Sequence, residues 1–153
     1  MAGEVGALWR DRERRRPVLV VIDEAHNVCP AEPDDPLRAL STDVAVRIAA
    51  EGRKFGLYLL VSTQRPQKIP ENLLSQCDNL VLMRMNSVAD LGYAGDVFSF
   101  VPPGLLAQAG AFGLGEALVA GKLASHPALL KMGRRIAAEG GADVPTTWAQ
   151  SRA

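Results

Sequence analysis

Val18-Leu19-Val20-Val21-Ile22-Asp23-Glu24 is a run of five apolar residues, four of them β-branched, that ends in two adjacent acids. No polar residue alternates within it, which is the pattern of a buried central strand in a parallel sheet. A strand that delivers two carboxylates to its mouth is costly, because charge at the edge of a core loses hydration unless a cation compensates. Magnesium is the natural compensator. In phosphoryl transfer one carboxylate holds the ion's water shell while a second orients the attacking water. Asp23 suits the first role and Glu24 the second. The plainer reading is a strand that runs into an acidic turn, and the motif alone leaves both open.

Working outward, Val5, Leu8 and Trp9 stand at helical spacing ahead of Arg10-Asp11-Arg12-Glu13-Arg14-Arg15-Arg16, so a short helix ends in a solvated, mixed-charge turn before Pro17. After the acids, residues 27–36 hold three prolines and several carboxylates and read as an exposed excursion. Leu40, Val44, Ile48 and Ala49 then recur at helical intervals up to about Glu51, with Gly52 and Gly56 punctuating the end. A second buried strand covers Gly56 to Ser62 and stops in Thr63-Gln64-Arg65-Pro66, where proline forbids continuation. A short helix through residues 72–76 and a third apolar strand, Asn79 to Met85, come next.

This strand–helix alternation predicts an α/β fold with a right-handed parallel sheet, its ligands at the carboxyl ends of the strands. Asp23-Glu24 and Thr63-Gln64 both fall at such ends. Farther on, residues 88–93 and 104–108 read as short helices, and residues 116–120 with 128–131 as a β-hairpin. The stretch from Gly133 is glycine-rich and weakly patterned.

Composition bounds what such a sheet can serve. At 153 residues the chain is about one domain. Its 48% hydrophobic and 22% charged residues are those of a folded globule rather than a disordered chain or coiled coil. Seventeen basic residues balance seventeen acidic ones, so any contact with DNA must be local. Cys29 and Cys77 are too few for a disulfide framework and lack the CxxC spacing of a zinc site, which fits the reducing cytoplasm. They read as small buried or loop side chains. No apolar run approaches the roughly 18 residues of a membrane helix, and residues 1–16 hold no signal-peptide core.

Three further groups carry chemistry. Gln64 emerges at the same sheet edge as the acids, where an uncharged amide can sense the γ-phosphate and hold the lytic water, or merely end a strand. Arg53 and Lys54, in Glu51-Gly52-Arg53-Lys54, suit a helix dipole, while an arginine there can also neutralise charge on a neighbour's nucleotide. His26 completes Asp-Glu-Ala-His, the signature of one helicase class, but that class continues into a second RecA-like domain for which this chain has no room. His26 reads as a structural or coupling residue beside the site, and His126, before Pro127, as a turn residue.

Together, Val21-Ile22-Asp23-Glu24-Ala25-His26, Glu51-Gly52-Arg53-Lys54-Phe55-Gly56, Ser62-Thr63-Gln64-Arg65-Pro66 and Leu74-Ser75-Gln76-Cys77-Asp78-Asn79 resemble, in order and spacing, the HerA-like branch of the HerA-FtsK superfamily of DNA-pumping ATPases. The likeness runs over about residues 17–132. It implies a partial RecA-like P-loop NTPase sheet of parallel strands flanked by helices, with a carboxyl-terminal β-hairpin. It further implies Asp23 on Mg2+, Glu24 as catalytic carboxylate, Gln64 as polar sensor on ATP, Arg53 offered to the adjacent subunit's ATP, and Arg65 in a weaker version of that role. Like subunits in a hexameric ring, double-stranded DNA and a nuclease are the partners it implies for the complete protein, with no membrane.

One part of that pattern is missing. The family needs GxxxxGK[ST], whose glycine-rich backbone and lysine cradle the phosphates. No segment of this sequence reads so. Gly115 to Leu123 holds Gly121-Lys122 but puts Leu123 where the hydroxyl belongs, and it comes after the Asp-Glu strand instead of preceding it. The expectation is therefore a carboxyl-terminal portion of an ATPase domain, inactive alone. Residues 1–16 would be a helix from the preceding part, 17–132 the ATPase portion and 133–153 a flexible or partner-docking tail. The rival expectations are a non-catalytic module that docks on full-length ATPase subunits, and a fragment without function.

Overall fold

The computed structural model describes residues 2–134 and 136. Helix α1 (Ala2–Arg10) leads through a 3-10 turn, Arg12–Arg14, to strand β1 (Val18–Ile22). Helix α2 (Pro36–Glu51) starts where the sequence supplies both start signals. The Asp35 carboxylate accepts the backbone N–H groups of Leu37 and Arg38 at 2.8 and 2.9 Å, and Pro36 fills the first helical position without a donor to waste. The chain leaves α2 through a 3-10 turn, Gly52–Phe55, reverses at Gly56 with φ +79°, and enters β2 (Leu57–Val61).

β1 and β2 pair in parallel, Val18 against Leu57 through Ile22 against Val61. α2 is the crossover that covers one face, through Val44, Ala45 and Ile48. Its buried side differs from the stripe expected: Leu40 is exposed, and Ser41 and Thr42 are buried instead. Both hydroxyls are satisfied there, Ser41 donating to Leu37 O at 3.0 Å and Thr42 to Pro30 O at 3.3 Å, so the small polar pair packs without a desolvation penalty.

Helix α3 (Glu71–Leu74) leads to β3 (Asn79–Leu82). Helices α4 (Val88–Val97) and α5 (Pro103–Leu106) come next, then β4 (Glu116–Gly121) and β5 (Ala128–Lys131). The hairpin β4–β5 forms as the sequence predicts, antiparallel with Val119 against Ala128. The third strand departs from the expectation of one continuous parallel sheet: β3 pairs antiparallel with β4, Leu82 against Leu118, in a separate three-stranded sheet. An apolar run states that a strand is buried, not which way its neighbour runs. The segment from Gly133 onward lies largely outside the described residues.

One core binds the two sheets. Ile22, Ala45, Ile69, Leu73, Leu82, Phe98, Leu106, Leu118 and Ala120 form a single buried cluster, with Leu59, Val61 and Leu80 packed against it. A smaller cluster of Val5, Val44, Ile48 and Leu57 fixes α1 to α2, extended by Trp9 and Phe55 edge to face at 6.0 Å. The other face of β1 and β2 is open: Leu19, Val21, Tyr58 and Leu60 are half or more exposed. That differs from the fully buried strand expected of Val18 to Ile22. No helix among the described residues is long and apolar enough to cross a membrane.

Burial also decides the thiol chemistry. The Cys29 side chain is fully enclosed, donates to Ala25 O at 3.4 Å, and is pushed up from the ordinary 9.0 to about 11 by loss of hydration. Burial, then the adjacent Asp78, raises Cys77 as well. Native protein at pH 8 is therefore expected to resist alkylation at Cys29 and to release the thiol only on denaturation, a difference read by mass spectrometry. The protonated thiol contributes stability in full below pH 9, and that contribution fades as pH rises toward 11. Rapid native labelling of Cys29 at pH 8 would contradict this.

Candidate active site

The parallel register brings the predicted residues of β1 and β2 to one edge. Ile22 pairs with Val61, so the next residues of each strand, Asp23 and Ser62, meet just beyond the ladder. Two backbone bonds hold them there, Ser62 N–H to Ile22 O and Ala25 N–H to Ser62 O, each 2.9 Å. The Ser62 hydroxyl donates to Asp23 Oδ1, which also accepts the N–H of Glu24 at 3.1 Å. The sequence assigned Ser62 no role. The in-register pairing is the signal that finds it, because a parallel ladder places the first residue after one strand beside the first residue after the other.

Glu24 takes a left-handed backbone, φ 45° and ψ 51°, a conformation that costs a non-glycine residue about 1–3 kcal/mol and clusters at functional positions. Its carboxylate faces Gln64, whose side-chain amide donates to Oε1 at 2.9 Å across the mouths of the two strands. Oε2 is buried and makes no hydrogen bond, although His26 Nδ1 lies 3.3 Å away. That nitrogen is engaged elsewhere, 3.0 Å from Thr63 Oγ1, which in turn accepts the N–H of Arg65 at 3.0 Å. His26 thus links the β1 turn to the β2 turn and sits beside Glu24. A buried carboxylate oxygen without a hydrogen-bond donor is expensive.

These donors fit a particular kind of magnesium site. No group of three or more His, Cys, Asp or Glu that could hold a metal exists among the described residues. One carboxylate with an adjacent hydroxyl, Asp23 with Ser62, suits an ion that keeps its waters and takes other ligands from phosphate oxygens, as Mg2+ does. It does not make a closed protein cage.

Arg53 and Lys54 lie elsewhere. They precede β2 and are exposed at the amino ends of both strands, roughly 15 Å along the sheet from Asp23 at about 3.3 Å per residue. Arg12 stacks nearby over Trp9 and Phe55, 4.8 and 5.4 Å from the ring centres. Arg53 therefore does not join Asp23, Glu24 and Gln64 within one chain. Arg65 begins the turn just past Gln64 and is exposed on the acids' edge. The Gly115 to Leu123 segment is mostly strand β4 and ends in a turn, so it offers no phosphate loop at a helix start.

No protein-family model matches the chain. The DNA double-strand break repair helicase HerA of Sulfurisphaera tokodaii is 36% identical over 116 residues, which is 76% of this chain and 23% of that protein. HerA of Pyrococcus furiosus is 35% identical over 117 residues, 76% of this chain and 20% of its own length. The chain thus spans about a quarter or less of these curated relatives. Among solved structures, the genome packaging NTPase B204 of Sulfolobus turreted icosahedral virus 2 in complex with AMPPCP superposes with a TM-score of 0.63 at 15% identity, covering 88% of this chain and 63% of that one. Its ATP-gammaS complex gives 0.56 at 17% identity, covering 74% and 51%. The likeness to B204 is one of fold.

Proposed function

From a chain that is HerA-like in sequence and NTPase-like in fold, we propose that residues 17–132 form one portion of the ATPase domain of an ATP-driven DNA translocase, the portion that carries the metal and water side of the site. The observation that carries this reading is the Glu24–Gln64 bridge at the strand mouths, with Asp23 and Ser62 beside it. Two strands of one parallel sheet converge a carboxylate pair and an amide on one point, and the strained backbone of Glu24 is tolerated there.

In this reading Asp23 holds the magnesium that accompanies ATP, and Ser62 orients the Asp23 carboxylate. Bound magnesium supplies neutralisation of the phosphate charge. Glu24 orients the attacking water with its carboxylate and takes the proton that water gives up. Gln64, already bonded to Oε1, reports on the γ-phosphate and keeps the carboxylate aimed. Arg65 lies close enough along the chain to meet phosphate from the same edge. Arg53, at the opposite end of the strands, serves only a nucleotide held by a neighbouring subunit, which calls for a ring of like subunits. Double-stranded DNA as substrate and a nuclease partner extend the same proposal, from the relatives' roles in break repair.

Without a glycine-rich loop and its lysine, most ATP affinity is lost, because those groups cradle the phosphates. The 153-residue protein is expected to show no shift of its melting temperature with 1 mM Mg-ATP, about the top of the usual KM range. A clear shift accompanied by turnover would overturn the assignment of roles.

A further inference from the structure

The two oxygens of Glu24 are treated unequally. Gln64 donates to Oε1 at 2.9 Å, whereas Oε2 is buried and makes no hydrogen bond. His26 Nδ1 stands 3.3 Å from Oε2 and 3.0 Å from Thr63 Oγ1. Where the imidazole carries its proton therefore decides whether its contact with Oε2 attracts or repels. A bare Nδ1 has to accept the Thr63 hydroxyl and holds its lone pair beside a carboxylate oxygen. A partial negative charge and a carboxylate oxygen 3.3 Å apart repel, and at a buried atom little water screens them. A proton on Nδ1 removes the conflict: the N–H donates to Thr63 Oγ1, and its positive end lies beside Oε2. The Thr63 hydroxyl oxygen has two acceptor sites, and this arrangement fills both, one with His26 and one with the N–H of Arg65 at 3.0 Å.

We propose that His26, with its proton on Nδ1, is a positioning residue for Glu24 and Gln64. By pinning the Thr63 hydroxyl it fixes the main chain from which Gln64 reaches Oε1. By setting an N–H beside Oε2 it offsets the cost of burying that oxygen. The local backbone delivers the ring to this place. Left-handed Glu24 turns the chain into the 3-10 turn Ala25–Asn27, and Ala25 is wholly buried, its N–H bonded to Ser62 O at 2.9 Å. His26 comes next and is carried against the turn that follows β2. Its side chain is only 16% exposed, so water competes little for these contacts. The brace needs no nucleotide; its service to ATP hydrolysis rests on the ATPase reading.

NMR on the 153-residue protein at pH 7, without nucleotide, tests the brace. The nitrogen chemical shifts of the His26 ring are expected to show a protonated Nδ1. A bare Nδ1 with the proton on Nε2 would overturn the proposal. Side-chain shape supplies a second arm, because the amide nitrogen of asparagine can take the place of Nδ1, whereas that of glutamine falls near Nε2. In the parent, in His26→Asn and in Thr63→Ser, the Gln64 side-chain amide is expected to stay ordered. In His26→Gln and Thr63→Val its order parameter should fall below about 0.6, the range of a flexible group. A residue that merely filled space would be replaced equally well by either amide. Equal order in His26→Asn and His26→Gln, or an ordered Gln64 in Thr63→Val, therefore counts against the brace. Circular dichroism checks that the variants fold, and the ring nitrogens of the parent decide the matter if they do not. The ATPase reading is scored apart: an ordered Gln64 held by His26, in a protein that turns over ATP unchanged as Glu24→Gln once a phosphate loop is supplied, upholds the brace and rejects its catalytic use.

Discussion

Gly121→Ala is expected to destabilise the protein by about 2–5 kcal/mol, as the sum of backbone strain and overpacking against fixed atoms. Gly121 closes β4 at φ +96°, in the left-handed region where a side chain costs about 1–2 kcal/mol. A Cβ there would overlap Asp78 O and stand 2.8 Å from the Asn79 Cα, both main-chain atoms. They cannot retreat cheaply. Asp78 O accepts the N–H of Lys122 at 3.2 Å, Asn79 pairs with Gly121 in the ladder, and Asn79 Oδ1 accepts the N–H of Leu123 at 2.6 Å. Relief of the clash therefore breaks the β3–β4 ladder at its end and strips the hydrogen bonds of the turn. Set against the roughly 5–15 kcal/mol of a typical domain, this is a large fraction of the total. Urea denaturation monitored by circular dichroism measures it, with Gly104→Ala as control. Gly104 lies in helix α5 with nothing within 4 Å, so alanine there should be neutral or slightly stabilising. A Gly121→Ala midpoint within error of the parent would show that the β3–β4 junction is looser than these contacts require.

Gly121 also shows where reading the sequence stops. Strands β1, β2 and β3 are legible because five or so consecutive apolar residues bounded by proline, glycine or acids have few other homes. The Asp23, Glu24 and Gln64 cluster is legible as well, since parallel strands deposit their next residues at one edge. What distinguishes β3 from the other two is its partner, and partner direction depends on atoms distant in the chain. The open face is invisible for a related reason: Leu19 and Tyr58 look like core residues because they belong to a sheet covered on both sides. The role of Ser62 and the link from His26 to Thr63 need only the register to emerge, and register is fixed by tertiary pairing. Arg53, which the family pattern offers to an adjacent subunit's nucleotide, stands at the other end of the strands from Asp23, because a helix and a turn separate the motifs and a parallel crossover returns the chain to the starting edge.

The largest functional effect should come from Glu24→Gln in the protein once it carries or has docked a phosphate loop. The substitution keeps the shape of the side chain and removes the acceptor charge from Oε2, the buried oxygen that makes no hydrogen bond. General-base participation is worth about 100- to 10,000-fold, so ATP turnover should fall by at least 100-fold while Mg-ATP binding is retained. Asp23→Asn should behave differently: losing the magnesium ligand weakens binding as well as turnover, since the metal and the phosphates are held together. Gln64 sharpens the distinction. Its amide donates to Glu24 Oε1 at 2.9 Å, so Glu24→Gln leaves a carbonyl there to accept the bond, and the strand mouths keep their geometry. Retained binding with lost turnover in Glu24→Gln, against loss of both in Asp23→Asn, separates a water-activating carboxylate from a merely acidic turn. If Glu24→Gln turns over ATP at the parent rate, Glu24 is a tether for Gln64 and the attacking water is activated elsewhere.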